Sequence, residues 1–253
     1  MALELVVIPC LSDNFAYLIR DATSGETALI DAPEAAPILA ALQKRGWGLD
    51  LILITHHHAD HIDGVEEIRA ATAAKVLGAA ADAHRLPALD RALVEGDEIA
   101  IGAERGKVIA VDGHTLGHIA FHFPQSSLLF TADSLMAAGC GRLFEGTPAQ
   151  MYESLQKLAA LPHETRICSG HDYLKGNLAF ALALEPDNPL LKFRIETVEE
   201  MRREGRLPMP WTLAEELNTN PFLRADLLKA QLGMEDAEEV SVFAEIRARK
   251  DRF

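Results

Sequence analysis

The chain has 253 residues, of which 49% are hydrophobic and 25% are charged, enough for one large α/β domain or for a larger and a smaller domain. Its formal net charge of −14 argues against a general binding surface for nucleic acid or for an anionic membrane. The sequence has no apolar run of bilayer length, no basic signal-peptide start and only three scattered cysteines, so we expect a cytoplasmic protein without membrane association.

The first part of the chain predicts strands followed by helices. Three strands, joined by Asp-Asn and Ser-Gly turns as in a meander, are predicted over residues 3–11, 14–21 and 26–32. Residues 33–46 predict a helix, with proline in the first turn and glycine at the end. Residues 49–56 form a continuous apolar run, typical of a strand covered on both faces, and residues 61–74 repeat apolar side chains at helical spacing.

The remainder divides into a strand-rich part and a helical part. Further strands are predicted over residues 75–79, 98–115, 118–134 and 165–171. A capping box beginning at Thr147 predicts a helix before the last of these strands. Every segment after residue 172 predicts helices, including one with a second capping box at Thr212. The pattern predicts a β-rich domain over residues 1–171 and a helical domain over residues 172–253.

Four histidines and one aspartate directly follow the central apolar run, in the motif THHHADH. Because side chains alternate along an extended segment, His56 and His58 point to one side and can hold one metal ion, whereas His57 points away. Asp60 and His61, adjacent at the start of the next helix, suit a second ion better than a share of the first. A solvated histidine-rich loop is the alternative, and the strand–loop–helix context argues against it.

Three further candidate ligands stand at the ends of predicted strands, where loops present functional groups. They are His114, Asp133 and His171. A carboxylate at the end of an apolar strand is costly unless it is paired or bound to a metal. Since a carboxylate has two oxygens, Asp133 can bridge two cations.

These motifs resemble those of the metallo-β-lactamase-fold hydrolases: THHHADH, GHT at 113–115, TAD at 131–133 and GHDY at 170–173. Four more are similar to the hydroxyacylglutathione hydrolase (glyoxalase II) family: SDNFAYLI near the start, GCGRLFEGT at 139–147, LAEELNTNPFLR at 213–224 and RARKD at 247–251. The resemblance covers essentially the whole chain. It implies an α+β fold, in which a four-layer αββα metallo-β-lactamase sandwich over residues 1–171 carries the metal site and a small all-helical domain over residues 172–253 binds glutathione.

The resemblance also implies a binuclear site. One metal ion would be held by His56, His58 and His114, and the other by Asp60, His61 and His171, with Asp133 bridging. The cofactors implied are two divalent ions per chain, zinc in the first place, with iron and manganese as alternatives because imidazole and carboxylate suit all three. Asp60 and Asp133 would be the catalytic carboxylates, with Asp60 holding the proton of the attacking water.

The implied reaction is metal-dependent hydrolysis of an S-(2-hydroxyacyl)glutathione, typically S-D-lactoylglutathione, to a 2-hydroxy acid and glutathione, the second step of methylglyoxal detoxification. This small thioester is the one partner implied; nucleic acid, membrane and an obligate protein partner are not expected. The family's glutathione contacts fall on Arg142, Phe144, Tyr173, Arg247 and Lys250. Phe144 stands where the family often has tyrosine, which removes one hydrogen bond of about 0.5–1.5 kcal/mol. Arg247 and Lys250 share a helix face and can clamp a carboxylate.

Other functions of the same fold are a persulfide dioxygenase with one iron and a lactonase, and the RARKD tail argues against both. A non-catalytic metal-binding protein is a further alternative, which the complete set of ligands disfavours. Among the remaining residues, we expect His118 to lie behind the ligands or to be structural, His122 to lie at the surface, and Cys140 not to act as a nucleophile.

Overall fold

The computed structural model describes residues 2–253 and contains two six-stranded β-sheets packed face to face. The first sheet contains, in spatial order, β1 (Glu4–Cys10), β2 (Asn14–Arg20), β3 (Thr27–Ile30), β4 (Leu51–Leu53), β5 (Lys75–Ala79) and β6 (Arg91–Leu93). The second contains β7 (Glu98–Ile101), β8 (Glu104–Ala110), β9 (Ile119–Phe123), β10 (Leu128–Ala132), β13 (Arg166–Ser169) and β14 (Trp211–Thr212). A hairpin of β11 (Leu135–Met136) and β12 (Gly139–Cys140) follows β10.

Alternation along single strands divides the apolar core into layers. In β2, Phe15, Tyr17 and Ile19 pack between the two sheets, whereas Ala16 and Leu18 pack on the outer side of the first sheet. A strand covered on both faces has no polar face, which is why β2 reads as nearly continuous apolar sequence. The predicted meander is confirmed, since β2 pairs antiparallel with both β1 and β3.

Helices cover the outer faces of both sheets and complete a four-layer αββα sandwich, as predicted. The helices on the first sheet are α1 (Ala35–Arg45), α2 (Ala59–Ile62) and α3 (Val65–Thr72). On the second sheet lies α4 (Pro148–Ala159), which packs through Met151, Leu155 and Leu158. Loops that follow β4, β10 and β13 meet at one edge of this sandwich.

The segment after residue 172 adds α5 (Leu174–Leu184), α6 (Pro189–Arg203), α7 (Leu213–Thr219), α8 (Lys229–Leu232) and α9 (Glu239–Arg252). Leu178 of α5 and Val198 of α6 join the core between the sheets, and Phe243 of α9 joins the core under α4. The boundary at residue 172 stays a prediction, since side chains from both segments pack in the same cores. Among residues 2–253, no helix combines the length and the apolar character needed to cross a membrane.

Three sequence predictions differ from the structure. The segment after residue 172 is not wholly helical, because β14 pairs with β13. The single helix predicted over residues 61–74 is two helices, which separate where Gly64 donates to the Ala32 carbonyl oxygen. His122 is 7% exposed rather than at the surface, and it lies in β9, whose five residues are all buried.

A buried ion pair connects the C-terminal helices with the β11–β12 hairpin. Arg194 of α6 pairs with Glu216 of α7, and their side chains are only 3% and 0% exposed. Glu216 also accepts a hydrogen bond from the Ala138 backbone N–H at 2.8 Å, and the Arg194 guanidinium lies 4.5 Å from the centre of the Trp211 ring. Removal of one partner would leave the other charge buried without compensation.

The substitution Glu216→Ala should therefore lower the free energy of unfolding by about 3–5 kcal/mol. Glu204→Ala is the matched control, because Glu204 pairs with Arg206 at the surface, where an ion pair contributes about 0–1 kcal/mol. Urea-induced unfolding followed by circular dichroism measures both variants. Small and equal losses in the two would contradict a stabilising role for the buried pair.

Candidate metal centre

The loop after β4 brings His56 and His58 together with His114, and we name these residues the three-histidine group. His56 Nε2 lies 3.1 Å from His58 Nδ1, and His114 Nε2 lies 3.0 Å from the same His58 atom. His57 turns away, with its Nδ1 3.1 Å from Asp82 Oδ2. Although β4 ends at residue 53, the alternation predicted for these side chains is present.

Asp60 and His61 of α2 meet His171, which follows β13, and we name these residues the aspartate group. His61 Nε2 lies 3.3 Å from His171 Nε2, and Asp60 Oδ2 lies 3.3 Å from the same His171 atom. Since β4 and β13 belong to different sheets, this group joins loops from both sheets. Each group is compact enough to hold one metal ion.

Asp133, directly after β10, lies between the two groups. Its Oδ2 is 3.4 Å from His114 Nε2 and 3.3 Å from His171 Nε2. Its Oδ1 is buried, lies 3.5 Å from His61 Nε2, and accepts no hydrogen bond from any residue within 2–253. A buried carboxylate oxygen in this condition is unfavourable unless a cation completes its environment. The two groups and Asp133 therefore fit divalent metal ions, which imidazole and carboxylate bind well.

Carboxylates hold the outward nitrogens of two histidines in the aspartate group. His61 Nδ1 lies 2.8 Å from Asp31 Oδ2, and His171 Nδ1 lies 2.8 Å from Asp13 Oδ1. Such a partner fixes the tautomer and leaves the opposite nitrogen free for a metal. Neither aspartate is predicted as a site residue from the sequence. Asp31 follows an apolar strand just as Asp133 does, so the same signal could have identified it.

The three-histidine group has neutral outward partners instead. His56 Nδ1 lies 3.0 Å from Thr55 Oγ1, and His114 Nδ1 lies 2.7 Å from the carbonyl oxygen of Arg142, which accepts. The two groups thus differ in the charge of the residues behind them.

Asp31, His56 and His61 lie close enough together to suggest a third metal group. However, Asp31 accepts hydrogen bonds from the Thr55 hydroxyl at 2.8 Å and from the Thr55 backbone N–H at 2.9 Å, in addition to its contact with His61. The oxygens of Asp31 are therefore occupied, and we interpret Asp31 as support for His61 rather than as a ligand.

Charges in the centre stabilise one another. Although burial opposes protonation of His171, hydrogen bonds to Asp133 and Asp60 raise its pKa to about 11. Burial also opposes ionisation of Asp133, but the positive charge of His61 holds the pKa of this carboxyl well below its usual range. In the three-histidine group, burial lowers the pKa of His58 to about 4. The surroundings of the aspartate group and Asp133 thus favour positive charge, which bound metal ions can supply.

A cavity of about 680 Å³ opens beside the metal centre. It is lined by all five residues predicted to contact glutathione: Arg142, Phe144, Tyr173, Arg247 and Lys250. Tyr173 stacks on His171, with ring centres 4.7 Å apart and an interplanar angle of 9°. Phe144 is 64% exposed and packs edge-on against His58 and His114.

Arg247 and Lys250 lie on the cavity side of α9, which confirms that they share a helix face. Arg247 is 5% exposed and donates to the Cys140 carbonyl oxygen at 3.1 Å, while Lys250 Nζ donates to the Gly176 carbonyl oxygen at 2.9 Å. Burial, with the nearby charge of Arg247, lowers the pKa of Lys250. With Arg142 at the rim, three cations face this cavity in a chain of net charge −14.

Two residues beside the centre have no ligand position. His118 stacks on His56 at 4.6 Å between ring centres and so lies behind the ligands, as expected. Cys140 is buried, and burial raises its pKa to about 11, which disfavours a role as nucleophile.

Two protein-family models match the chain. The model of the metallo-beta-lactamase superfamily matches residues 12–171, and the model of the hydroxyacylglutathione hydrolase C-terminus matches residues 172–253. The chain is also similar to a hydroxyacylglutathione hydrolase of Fuscovulum blasticum. The two are 71% identical over an alignment of 255 positions that covers 100% of both chains.

Two solved structures are similar in fold. BLEG-1, a B3 metallo-beta-lactamase, gives a TM-score of 0.68 at 20% identity over 87% of this chain and 99% of that chain. TTHA1623, whose structure is described as a di-iron-bound form, gives a TM-score of 0.64 at 26% identity over 87% of this chain and 100% of that chain.

Gly170 packs directly against the centre, since a Cβ there would lie 2.3 Å from Asp133 Oδ1 and 2.7 Å from His61 Cε1. The substitution Gly170→Ala should displace these side chains and lower metal affinity about 10–100-fold, as changes behind metal ligands do. Gly48→Ala is the control, because a Cβ there meets no atom within 4 Å. Metal content after dialysis against a graded series of chelator concentrations measures the effect. Equal metal retention by both variants would show that Gly170 has no such role.

Proposed function

Because this chain belongs to the hydroxyacylglutathione hydrolase family of the metallo-β-lactamase superfamily, we propose that its centre binds two divalent metal ions, one in each ligand group, with Asp133 bridging. The chain is an enzyme that hydrolyses the thioester bond of S-(2-hydroxyacyl)glutathione in a metal-dependent reaction. The observation that carries the two-metal proposal is the position of Asp133, whose Oδ2 lies within 3.4 Å of both ligand groups.

Zinc is the proposed metal, since imidazole and carboxylate ligands suit it well. Iron and manganese accept the same ligand types, and the di-iron form of the similar TTHA1623 supports iron as the alternative. An iron-dependent dioxygenase or a lactonase is disfavoured, because the C-terminal segment matches the model of the hydroxyacylglutathione hydrolase C-terminus. The two possible ligand groups argue in addition against the one-iron dioxygenase.

When bound, the metal ions would act as Lewis acids toward the thioester carbonyl and would lower the pKa of water. The protein's part is to orient the attacking water and to shape the site. Asp60 is half-exposed toward the cavity, and its hydrogen bond with His171 holds the pKa of its carboxyl well below the usual range. Asp60 is thus a carboxylate at neutral pH and can accept a hydrogen bond from the attacking water, whose acidity the metal ions would supply when bound. Glutathione leaves as a thiolate, for which no strong acid is needed because a free thiol has a pKa of about 8.5.

Recognition of glutathione is assigned to the cavity beside the centre. Arg142 and Lys250 attract the carboxylates of the tripeptide, and the buried Arg247 holds α9 against Cys140 of β12. Tyr173 and Phe144 form apolar walls near the metal ligands. Asp172 and Asp251 line the same cavity and Asp251 pairs with Arg247, so the attraction of an anion rests on Arg142 and Lys250 rather than on the charge of the cavity as a whole.

We also propose a reducing compartment such as the cytoplasm. All three cysteines, Cys10, Cys140 and Cys168, are free thiols and buried. Free thiols persist where disulfides are kept reduced.

The metal-loaded protein should hydrolyse S-D-lactoylglutathione, followed as the loss of thioester absorbance. His58→Ala and Asp133→Ala should each lower bound metal and rate together, by more than the roughly 10–100-fold caused by changes behind the ligands. His163→Ala is the control, because His163 is exposed and away from the centre. Hydrolysis that is equally fast in metal-free protein would refute the proposed function.

Lys250→Ala should raise KM about 10–100-fold with little change in kcat, because a charged hydrogen bond contributes roughly 1.5–3 kcal/mol to binding. Lys192→Ala, which removes an exposed lysine from α6, is the matched control and should leave KM unchanged. Steady-state kinetics with varied thioester concentration separates the two constants. A decrease confined to kcat would remove Lys250 from substrate binding.

A further inference from the structure

The turn between β1 and β2 lies against the segment that carries His171. The Phe15 backbone N–H donates to the Gly170 carbonyl oxygen at 2.8 Å, and the Asp172 N–H donates to the Asp13 carbonyl oxygen at 2.8 Å. Asn14 and His171 also pair as an isolated antiparallel bridge. This turn of the first sheet is therefore fixed to the end of a strand in the second sheet, directly beside the metal centre.

Two side chains of this turn contact metal ligands. Asp13 Oδ1 lies 2.8 Å from His171 Nδ1. Asn14, which is 3% exposed, donates through Nδ2 to Asp60 Oδ2 and to the Asp60 carbonyl oxygen, both at 3.0 Å. Both contacted ligands, Asp60 and His171, belong to the aspartate group.

The contacts that support the three-histidine group come from residues outside this turn. Its outward partners are the Thr55 hydroxyl and the Arg142 carbonyl oxygen, both neutral. The β1–β2 turn thus supports one of the two ligand groups, and it does so with one anionic acceptor and one amide donor.

We propose that Asp13 and Asn14 are positioning residues for one metal position only: they set the metal affinity of the aspartate group and leave that of the three-histidine group unchanged. Asp13 fixes the tautomer of His171 and increases its basicity as a ligand. Asn14 occupies one side of the Asp60 carboxylate and so fixes its direction. This inference rests on the proposed binuclear function.

The experiment measures zinc affinity, by competition with a chromophoric chelator, in two backgrounds. His58→Ala impairs the three-histidine group and leaves the aspartate group to bind zinc, whereas His61→Ala does the reverse. Added to His58→Ala, Asn14→Ala or Asp13→Ala should lower the affinity of the remaining position about 10–100-fold. Added to His61→Ala, neither should change it.

Asp13→Asn separates charge from geometry, because asparagine keeps an oxygen that can accept from His171; it should cause a smaller loss than Asp13→Ala. Asp236→Asn, at an exposed aspartate, is the matched control and should change neither affinity. Equal losses in both backgrounds, as from a general disturbance of the fold, would overturn the inference, and so would no loss in the His58→Ala background.

Measurements on the unsubstituted protein distinguish failure of this inference from failure of the proposed binuclear function. If it binds two zinc ions and hydrolyses the thioester while the turn variants act equally on both positions, only the role of the turn is refuted. If it binds fewer than two zinc ions, the binuclear proposal fails and the inference fails with it.

Discussion

The organisation of this protein depends on a cluster of ionisable side chains buried at the edge where two sheets meet. Imidazoles and carboxylates converge there with their inward atoms facing one another, and Asp133 Oδ1 accepts no hydrogen bond from residues 2–253. The charged groups partly stabilise one another, but the buried Asp133 oxygen without a hydrogen bond is unfavourable, and cations between the ligands would relieve it. Every ligand stands after a strand of one sheet or the other, so the sandwich has to be assembled before the centre exists.

Much of this centre could be predicted from the sequence, because its signals are local. In THHHADH, the alternation of adjacent side chains predicts that His56 and His58 face the same side and that His57 turns away. The structure has this arrangement although β4 ends before Thr55. The lone ligands His114 and His171 needed more than a local signal. Each follows a predicted strand, but only the resemblance of the surrounding motifs to a known family assigned them to separate metal ions.

Other parts could not be predicted, for identifiable reasons. From the sequence, Asp13 is an ordinary turn residue. Its contact with His171 joins residues 158 positions apart, so no local pattern indicates it. Arg194 and Glu216 read as ordinary polar positions on separate helices, because nothing local indicates that they are buried as a pair. The prediction for His122 is wrong because a histidine in a strand suggests a half-exposed face, whereas all five residues of β9 are buried and nothing local indicates this.

The stack of Tyr173 on His171 has a consequence for how recognition and catalysis communicate. The Tyr173 ring lines the cavity proposed for glutathione, the His171 ring belongs to a proposed metal ligand, and a single residue separates the two in the chain. A ligand that shifts the tyrosine ring would therefore also shift the imidazole beneath it. Because binding free energies are linked, such a coupling would be mutual: the factor by which bound metal changes the affinity for glutathione equals the factor by which glutathione changes the affinity for the metal.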